Sequence, residues 1–237
     1  MKQMVILAGG LATRLGSLTK NTPKSMVPVL GKPFLEHQIE LCKKNGIGEI
    51  ILCLGHLWGK IFSHFGYGQK FGIHINYSIE KKRLDTGGAL KNAFHLLQEE
   101  FFVMYGDSYL PTDWRKIEED FRQSEKAGLM TVFQNNGQIE PSRVLLSTDG
   151  KMVAEYNKEN PRPEMHFSEY GLNIFQRNLL KKIPEDVFPI SRYFDLLIAE
   201  KHLTASISPT RFYEMGCLKG LKDLENFLSL KKQKTFF

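Results

Sequence analysis

Glycines and basic residues share one connection after the first apolar segment of the chain. Gly9 and Gly10 follow the apolar run 4–8, and Arg14 and Lys24 come next in the same stretch. Glycines at the end of a strand let backbone N–H groups come close to a phosphate, and nearby basic side chains can neutralise its charge. The pattern therefore predicts a ligand that carries phosphate groups, most simply a nucleotide.

This connection differs from two common phosphate-binding loops. No Gly-Lys-Ser/Thr sequence closes it, as in a Walker A loop, and it lacks the G-x-G-x-x-G spacing of dinucleotide-binding proteins. A double glycine by itself also fits a tight turn between a strand and a loop. Thr13-Arg14 and Pro23-Lys24 in the same connection favour the phosphate site over that simpler interpretation.

Strands and helices that would position these residues alternate through the first half of the chain. A buried strand is predicted at 4–8, and a helix that begins after Pro33 is predicted at 34–42. The pattern continues with strands at 49–54, 74–78 and 101–105 and with helices at 57–65 and 88–97. Such alternation predicts a parallel sheet with right-handed crossovers and helices on both faces.

The order of elements changes in the second half. After a helix at 114–126, closely spaced strands at 129–134, 143–147 and 152–158, with a hairpin turn at 148–150, predict an antiparallel or mixed extension of the same sheet. The remaining elements are a strand at 169–175, a helix at 192–202, a strand at 204–207 and a helix at 218–230. We therefore expect a single α/β domain over 1–237, with a mixed, mostly parallel central sheet flanked by helices.

The composition is that of an ordinary globular protein. Of the 237 residues, 42% are hydrophobic and 24% are charged, and 32 Lys and Arg against 26 Asp and Glu give a formal charge of +6. The basic excess raises the alternative of nucleic-acid binding. Apart from 81–83 and 231–234, however, basic residues are interleaved with acidic ones, so we expect no nucleic-acid partner.

No apolar run approaches the roughly 18 residues that span a bilayer, and the N-terminus leads into a strand instead of a signal segment. We therefore expect a cytoplasmic protein without a membrane partner. The three cysteines are scattered singly and indicate neither a zinc site nor a disulfide framework. A homo-oligomer is compatible with the sequence, which does not determine the number of subunits.

The stretch from Leu7 to Lys24 resembles the signature of sugar-1-phosphate nucleotidyltransferases. The usual form in that family is L-A-G-G-x-G-T-R-L, then L-T, then P-K, and this chain has LAGGLATRL, LT and PK in the same order. Segments 26–29 and 31–36 resemble the next family motif, Thr86-Gly87-Gly88-Ala89 resembles its base-contacting turn, and Gly106-Asp107 resembles its metal-binding turn. The resemblance covers most of the chain and implies a Rossmann-like nucleotidyltransferase fold.

Three residues depart from the family pattern. Ala12 replaces the second glycine of the signature, and Asp85 stands where a glycine commonly precedes Thr-Gly. Glu214, in Phe212-Tyr213-Glu214-Met215-Gly216, stands where many members carry Asp. None of these changes removes a required chemical type.

The resemblance implies that an oxygen of a sugar 1-phosphate attacks the α-phosphorus of a nucleoside triphosphate and releases pyrophosphate. Such transfers depend on positioning and on neutralisation of charge. Asp107 and Glu214 would bind Mg²⁺, while Arg14 would stabilise the leaving pyrophosphate and Lys24 would neutralise phosphates at the reacting centre.

Other site residues follow from the same resemblance. Lys158 matches the lysine of a Glu-Lys pair that meets the sugar phosphate, although Asn157 replaces the Glu, so the expected catalytic residues are Arg14, Lys24, Asp107 and Lys158. The expected nucleotide-binding residues are Leu7, Ala8, Gly9, Gly10, Thr13, Arg14, Lys24, Glu80, Thr86, Gly87 and Gly88. The residues expected to contact the acceptor are Asp107, Tyr109, Lys158, Glu169, Gly171 and Asn173.

Within the family, segments 31–36 and 101–109 look most like manno-heptose 1-phosphate guanylyltransferases. This similarity implies GTP with a heptose or hexose 1-phosphate, and a role in making nucleotide sugars for capsule or lipopolysaccharide. Two alternatives stay open. The acceptor is another small phosphorylated molecule, such as a phospho-amino acid or choline phosphate with CTP, or the chain is a catalytically silent nucleotide sensor.

Overall fold

In the computed structural model, which describes residues 1–10, 15 and 19–234 and their side chains up to residue 231, one mixed sheet runs through the centre of the chain. Strands β1 to β6 are Gln3–Leu7, Pro28–Val29, Lys32–Pro33, Glu49–Leu54, His74–Ile79 and Glu100–Tyr105. Strands β7 to β13 are Ser108–Tyr109, Gly128–Gln134, Val144–Leu146, Val153–Tyr156, Phe167–Gln176, Leu203–Ser208 and Tyr213–Glu214. Helices α1 to α6 are Phe34–Lys44, Trp58–Phe65, Asp85–Asn92, Trp114–Ser124, Ser191–Ala199 and Leu218–Lys234.

The sheet has nine strands, in a path β10-β9-β11-β6-β1-β4-β5, with β8 beside β11 and β12 beyond β8. Strands β6, β1, β4 and β5 are parallel to one another. Strand β11 runs antiparallel to β6, β8 and β9. The expected parallel half and the expected mixed extension are both confirmed, and the ends of the parallel strands therefore meet at one edge of the sheet.

Alternate side chains of the central strand enter two cores, one on each face of the sheet. Met4 and Ile6 pack in the core that includes side chains of α1, α4 and α6, whereas Val5 and Leu7 pack in the core that includes side chains of α3 and α5. All five residues of β1 are buried, as expected for a parallel strand covered on both faces. The cores hold the strand ends, and with them the site residues, in fixed positions.

Some boundaries differ from the sequence-based expectations. The helix expected at 88–97 begins earlier, at Asp85, and ends at Asn92, after which Phe94–Leu96 forms a separate 3-10 turn. The hairpin at 148–150 is confirmed, since Ser147 N donates to Met152 O and Gly150 N donates to Ser147 O. In the part of the chain that the structure describes, no helix is long and apolar enough to cross a membrane.

Candidate functional site

A cavity of about 610 Å³ lies where the parallel strands end. Leu7 closes β1 and Tyr105 closes β6, and both residues line the cavity. Clefts at the carboxyl ends of strands are the usual ligand site of open α/β sheets. The predicted site residues that line it are Leu7, Ala8, Gly9, Gly10, Lys24, Glu80, Thr86, Asp107, Lys158, Glu169, Gly171 and Glu214.

The first wall is the glycine segment after β1. Ala8 N donates to Cys53 O, and Gly9 lies so close to Glu80 that a Cβ at Gly9 would come within 2.5 Å of Glu80 Oε1. Among the described residues, no atom lies within 4 Å of the place where a Cβ of Gly10 would be. Backbone groups at these glycines are thus accessible from the cavity. Thr13 and Arg14, which were expected to bind nucleotide beside them, lie outside the described residues.

Glu80 connects the glycine segment to the start of α3. Its Oε2 accepts a hydrogen bond from Leu84 N at 3.0 Å. Burial raises the pKa of Glu80. Asp85 adopts a left-handed conformation (φ 62°), and its Oδ1 accepts from Thr86 N at 2.7 Å. That φ accounts for the glycine that commonly stands here in similar sequences, since L-residues rarely adopt it.

The two glycines of α3 do not line the cavity, contrary to the expected contact with a base. Gly87 and Gly88 are buried, and both backbone N–H groups donate to Phe188 O. A Cβ would meet the Phe188 ring at 2.4 Å from Gly87 and the Asp186 carbonyl oxygen at 2.3 Å from Gly88. These glycines therefore allow the segment before α5 to pack against α3, and Thr86 reaches the cavity instead.

Lys24 and Asp107 form an ion pair at the centre of the cavity. The Lys24 ammonium donates to Oδ2 of Asp107. Lys24 comes from the 3-10 turn Lys24–Met26, and Asp107 follows β6. Gly106 permits this turn, because a Cβ there would lie 2.6 Å from the Cβ of Ala8.

Glu214 lies beside Asp107 although the two are distant in sequence. Strand β13 pairs with β7 in a register that sets Glu214 opposite Ser108, and Met215 N donates to Asp107 O at 2.9 Å. Solvent reaches Glu214, yet the surrounding walls desolvate its carboxyl and, with the negative charge of Asp107, raise its pKa to about 7. Two adjacent carboxylates fit a divalent cation.

The two carboxylates suit Mg²⁺, which needs few protein ligands, better than they suit a metal ion whose ligands all come from the protein. Among residues 1–10, 15 and 19–234, no group of three or more His, Cys, Asp or Glu is arranged to hold a metal ion. Magnesium usually takes one or two carboxylates and completes its octahedron with water and substrate phosphates. Asp107 and Glu214 supply that number of carboxylates.

Glu169 also lines the cavity. Tyr105 donates from its hydroxyl to Glu169 Oε2 at 2.9 Å, and Asn173 donates from Nδ2 to Glu169 Oε1 at 2.9 Å. Burial raises the pKa of Glu169 to about 7. Asn173 is itself buried and outside the cavity lining, so it positions Glu169 from behind instead of reaching a ligand as expected.

Tyr109 is likewise not in the cavity, although the resemblance placed it at the acceptor. It is 5% exposed, its backbone pairs with Tyr213, and its ring lies 6.2 Å from that of Phe227 on α6. The side chain therefore belongs to the core under α6. Lys158 is exposed at the cavity wall, where its charge lowers the pKa of Glu169.

Half of the cavity lining was not among the predicted site residues: Ser25, Arg83, Asp85, Ala89, Tyr105, Gly106, Glu140, Arg143, Tyr156, Pro189, Ile190 and Ser191. Most come from loops and strand ends that only the folded chain brings together. Ile190 is one example, since its N–H donates to Thr86 Oγ1 at 2.9 Å and joins the starts of α3 and α5. Gly106 and Asp85 do stand in the motif segments quoted from the sequence, whereas Glu140 and Arg143 belong to no such segment.

Comparisons with known proteins agree with this geometry. The sequence model of the family described as nucleotidyl transferase matches residues 3–192. A D-glycero-α-D-manno-heptose 1-phosphate guanylyltransferase of Campylobacter jejuni is 44% identical over 115 residues, which cover 48% of this chain and 52% of that protein. The enzyme of the same name from Aneurinibacillus thermoaerophilus is 37% identical over 153 residues, covering 64% and 66%. The chain thus spans half to two thirds of these curated relatives.

A solved structure covers more of the chain. The crystal structure of HddC from Yersinia pseudotuberculosis complexed with GMP-PN has a TM-score of 0.79 and 25% identity, covering 96% of this chain and all of that one (100%). At 96% coverage, the similarity extends over both halves of the sheet. Since the family model matches residues 3–192 of the 237, the chain belongs to the nucleotidyl transferase family.

Proposed function

We propose that this protein transfers a nucleotidyl group from a nucleoside triphosphate to a sugar 1-phosphate, giving a nucleoside diphosphate sugar and pyrophosphate. The observation that carries the proposal is one cavity lined by accessible glycines, by Lys24, Asp107 and Glu214, and by half-buried Glu169. GTP with a heptose or hexose 1-phosphate is the proposed pair, because two relatives are heptose 1-phosphate guanylyltransferases.

In the proposed reaction, an oxygen of the acceptor phosphate forms a bond to the α-phosphorus. The bond from the α-phosphorus to the bridging oxygen breaks, and its electron pair leaves with pyrophosphate. The protein contributes by positioning and by neutralising charge, which dominate catalysis of such transfers. The backbone of Gly9 and Gly10 would approach the nucleotide, and Lys24 would place its ammonium beside the reacting phosphates.

Asp107 and Glu214 would hold Mg²⁺, which supplies positive charge to the phosphates when it is bound. The raised pKa of Glu214 and the ammonium that Asp107 already accepts both support a site that favours added positive charge. At the acceptor end, Glu169 has both oxygens oriented by Tyr105 and Asn173, and it would accept hydrogen bonds from sugar hydroxyls. Lys158 would contact the acceptor phosphate. Arg14, outside the described residues, stays a prediction for the leaving pyrophosphate.

A pyrophosphate-release assay tests this proposal. Purified protein is incubated with Mg²⁺, each of GTP, UTP, dTTP and CTP, and a panel of sugar 1-phosphates, and products are identified by mass spectrometry. We expect release with at least one pair and its loss in Asp107→Asn. Glu164→Gln, which changes an exposed acid away from the cavity, serves as the matched control and should retain activity.

Two outcomes would change the assignment. Turnover with choline phosphate or a phospho-amino acid, and with no sugar 1-phosphate, would establish the alternative acceptor class. A folded protein that binds nucleotide, ignores the whole panel and has the same Mg²⁺ affinity after Asp107→Asn would be a nucleotide sensor instead.

A further inference from the structure

The acceptor half of the cavity is a break in the sheet. Strand β8 pairs along one edge of β11 from Phe167 to Phe175. The other edge pairs with β6 from Leu172 onward and with β9 at Phe167. Strands β6 and β9 therefore lie in line on that edge, separated by residues 168–171, which we call the edge gap. Strand β11 is irregular between Glu169 and Asn173, where the paired residues of β8 advance only from Val132 to Met130. The paired positions Phe167 and Leu172 at the two borders are therefore separated by about three residues of strand, or about 10 Å, which is room for one sugar ring.

The two borders of the edge gap carry different chemistry. At the β6 border lie Tyr105 and the central residues Asp107, Lys24 and Glu214. At the β9 border lies Arg143, whose backbone is fixed on both sides: its N–H donates to Phe167 O, and its carbonyl accepts from Asn157 N, both at 2.9 Å. Glu169 is in the gap itself.

Arg143 points a charged group into this cavity without using all of its donors. Its side chain is only 26% exposed, and its buried Nε has no hydrogen-bond partner among the described residues. One terminal nitrogen, Nη1, donates to Glu140 Oε2 at a long 3.4 Å. A buried donor without an acceptor is costly, and the planar guanidinium edge matches the two oxygens of a carboxylate or phosphate.

We propose that Arg143 binds a second oxyanion of the acceptor, a carboxylate or phosphate remote from the phosphate that attacks the nucleotide. The inference rests on the proposed function and adds a class of acceptor to it. The attacking phosphate must lie near Lys24 and Asp107 at the β6 border, so Arg143 across the edge gap meets the far side of the acceptor. Glu140, bound to Nη1, orients the guanidinium and leaves its remaining donors to the ligand.

Pairs of acceptors that differ by one oxyanion test the proposal. They are glucose 1-phosphate with glucuronic acid 1-phosphate, N-acetylglucosamine 1-phosphate with N-acetylmuramic acid 1-phosphate, and mannose 1-phosphate with mannose 1,6-bisphosphate. The first two pairs add a carboxylate and the third adds a phosphate. The pairs therefore show whether the second oxyanion is a carboxylate or a phosphate. For at least one pair we expect kcat/KM of the acidic member to exceed that of the neutral member by about tenfold or more.

Variants assign that preference to Arg143. Arg143→Gln should lower kcat/KM at least about tenfold for the acidic acceptor and less than about threefold for the neutral one, while Arg143→Lys retains part of the preference. Arg162→Gln removes an arginine charge that pairs with Glu155 outside the cavity and should leave the preference intact. Equal rates within every pair, or an equal loss on both members in Arg143→Gln, would overturn the proposal.

Binding is measured in parallel by calorimetry, with a non-hydrolysable GTP analogue present, so that the inference and the proposed function can fail separately. Release of pyrophosphate with neutral acceptors alone would retain the function and reject the role of Arg143. Selective binding of acidic members that is lost in Arg143→Gln, without any turnover, would retain the oxyanion site and reject the transfer. Absence of selective binding as well as of turnover would reject both.

Discussion

The Lys24 ammonium donates a hydrogen bond to the Asp107 carboxylate across a sequence separation of 83 residues. Lys24 belongs to a 3-10 turn before the first helix, and Asp107 follows the strand that flanks the central one. The pair therefore exists only when β1, β6 and the connection after β1 are assembled. The pair places one cation and one anion side by side in the lining of the cavity.

The roles of these two residues separate in a magnesium titration. Asp107→Asn removes a ligand carboxylate, so we expect Mg²⁺ affinity to fall at least about tenfold and most activity to be lost. Lys24→Ala removes a competing cation, so Mg²⁺ affinity should be kept or increase while kcat falls about a hundredfold. Isothermal calorimetry and the pyrophosphate assay measure the two quantities, and near-normal turnover in either variant would contradict these assignments.

Two glycines in the same wall should respond differently to an added methyl group. Gly106→Ala places its Cβ 2.6 Å from the Cβ and 2.8 Å from the Cα of Ala8, where the backbone must shift. We expect a loss of about 2 kcal/mol in the free energy of unfolding, measured by urea denaturation. The added methyl group of Gly10→Ala meets no atom of the described residues within 4 Å. We therefore expect this variant to retain stability while weakening nucleotide binding about tenfold. Equal stability of the two variants would refute the packing argument.

The left-handed conformation of Asp85 predicts an order of stability. With φ at 62°, a residue with a Cβ is strained, although the side chain compensates by accepting from Thr86 N. Asp85→Ala keeps the strain and loses the hydrogen bond, so we expect it to lower the free energy of unfolding by about 1 kcal/mol. Asp85→Gly should stay within about 0.5 kcal/mol of the parent chain, because relief of strain offsets its added flexibility. Urea denaturation of the parent, Asp85→Ala and Asp85→Gly under the same conditions checks this order of stability. An Asp85→Ala variant as stable as Asp85→Gly would contradict it.

Glu169 should make stability depend on pH. Its pKa is about 7 in the folded protein, above the value of an unfolded chain, so between about pH 4.5 and 7 the unfolded chain releases a proton that the folded one keeps. Stability from this group is fully present below the lower value and is lost as pH rises through 7. The free energy of unfolding of Glu169→Gln, relative to that of the parent, should therefore be about 2 kcal/mol higher at pH 8 than at pH 5.

Glu214 titrates in the same range and is present in both proteins. The charge of Glu169 makes only the smallest contribution to the raised pKa of Glu214, so most of the effect of Glu214 cancels in that difference. Glu164→Gln, at an exposed acid, gives the baseline. If the difference in free energy of unfolding between Glu169→Gln and the parent does not vary with pH, Glu169 titrates like a carboxyl in water, and the prediction is wrong.

Several elements could be predicted because their signals are local. Apolar runs such as the one ending at Leu7 indicate buried strands, and Gly150 marks the turn of the β9–β10 hairpin, where its φ is 71°. The boundary of α3 was harder to predict. Asp85 begins that helix from a conformation that most residues avoid, and tertiary contacts with the segment near Phe188 hold it there.

Tyr109, Gly87 and Gly88 illustrate the limit of motif similarity. Each stands at a motif position expected to touch substrate, yet each packs against protein: Tyr109 against α6, and the glycines against Phe188 and Asp186. A motif records which residue types occur together, and it does not distinguish a ligand contact from the packing that supports one. Motif similarity therefore indicated which segments lie around the cavity, but it did not show which of their residues line it.

The sequence by itself determined the α/β architecture, the order of strands and helices, and the motifs that mark the nucleotidyl transferase family, because periodicity and short-range motifs are properties of neighbouring residues. Only the tertiary structure decided that Glu214 stands beside Asp107, and that Arg143 and Glu169 line the same cavity. Those relationships depend on strand register and on which strands share an edge. Both are set by packing of the whole sheet, which residues distant along the chain establish together.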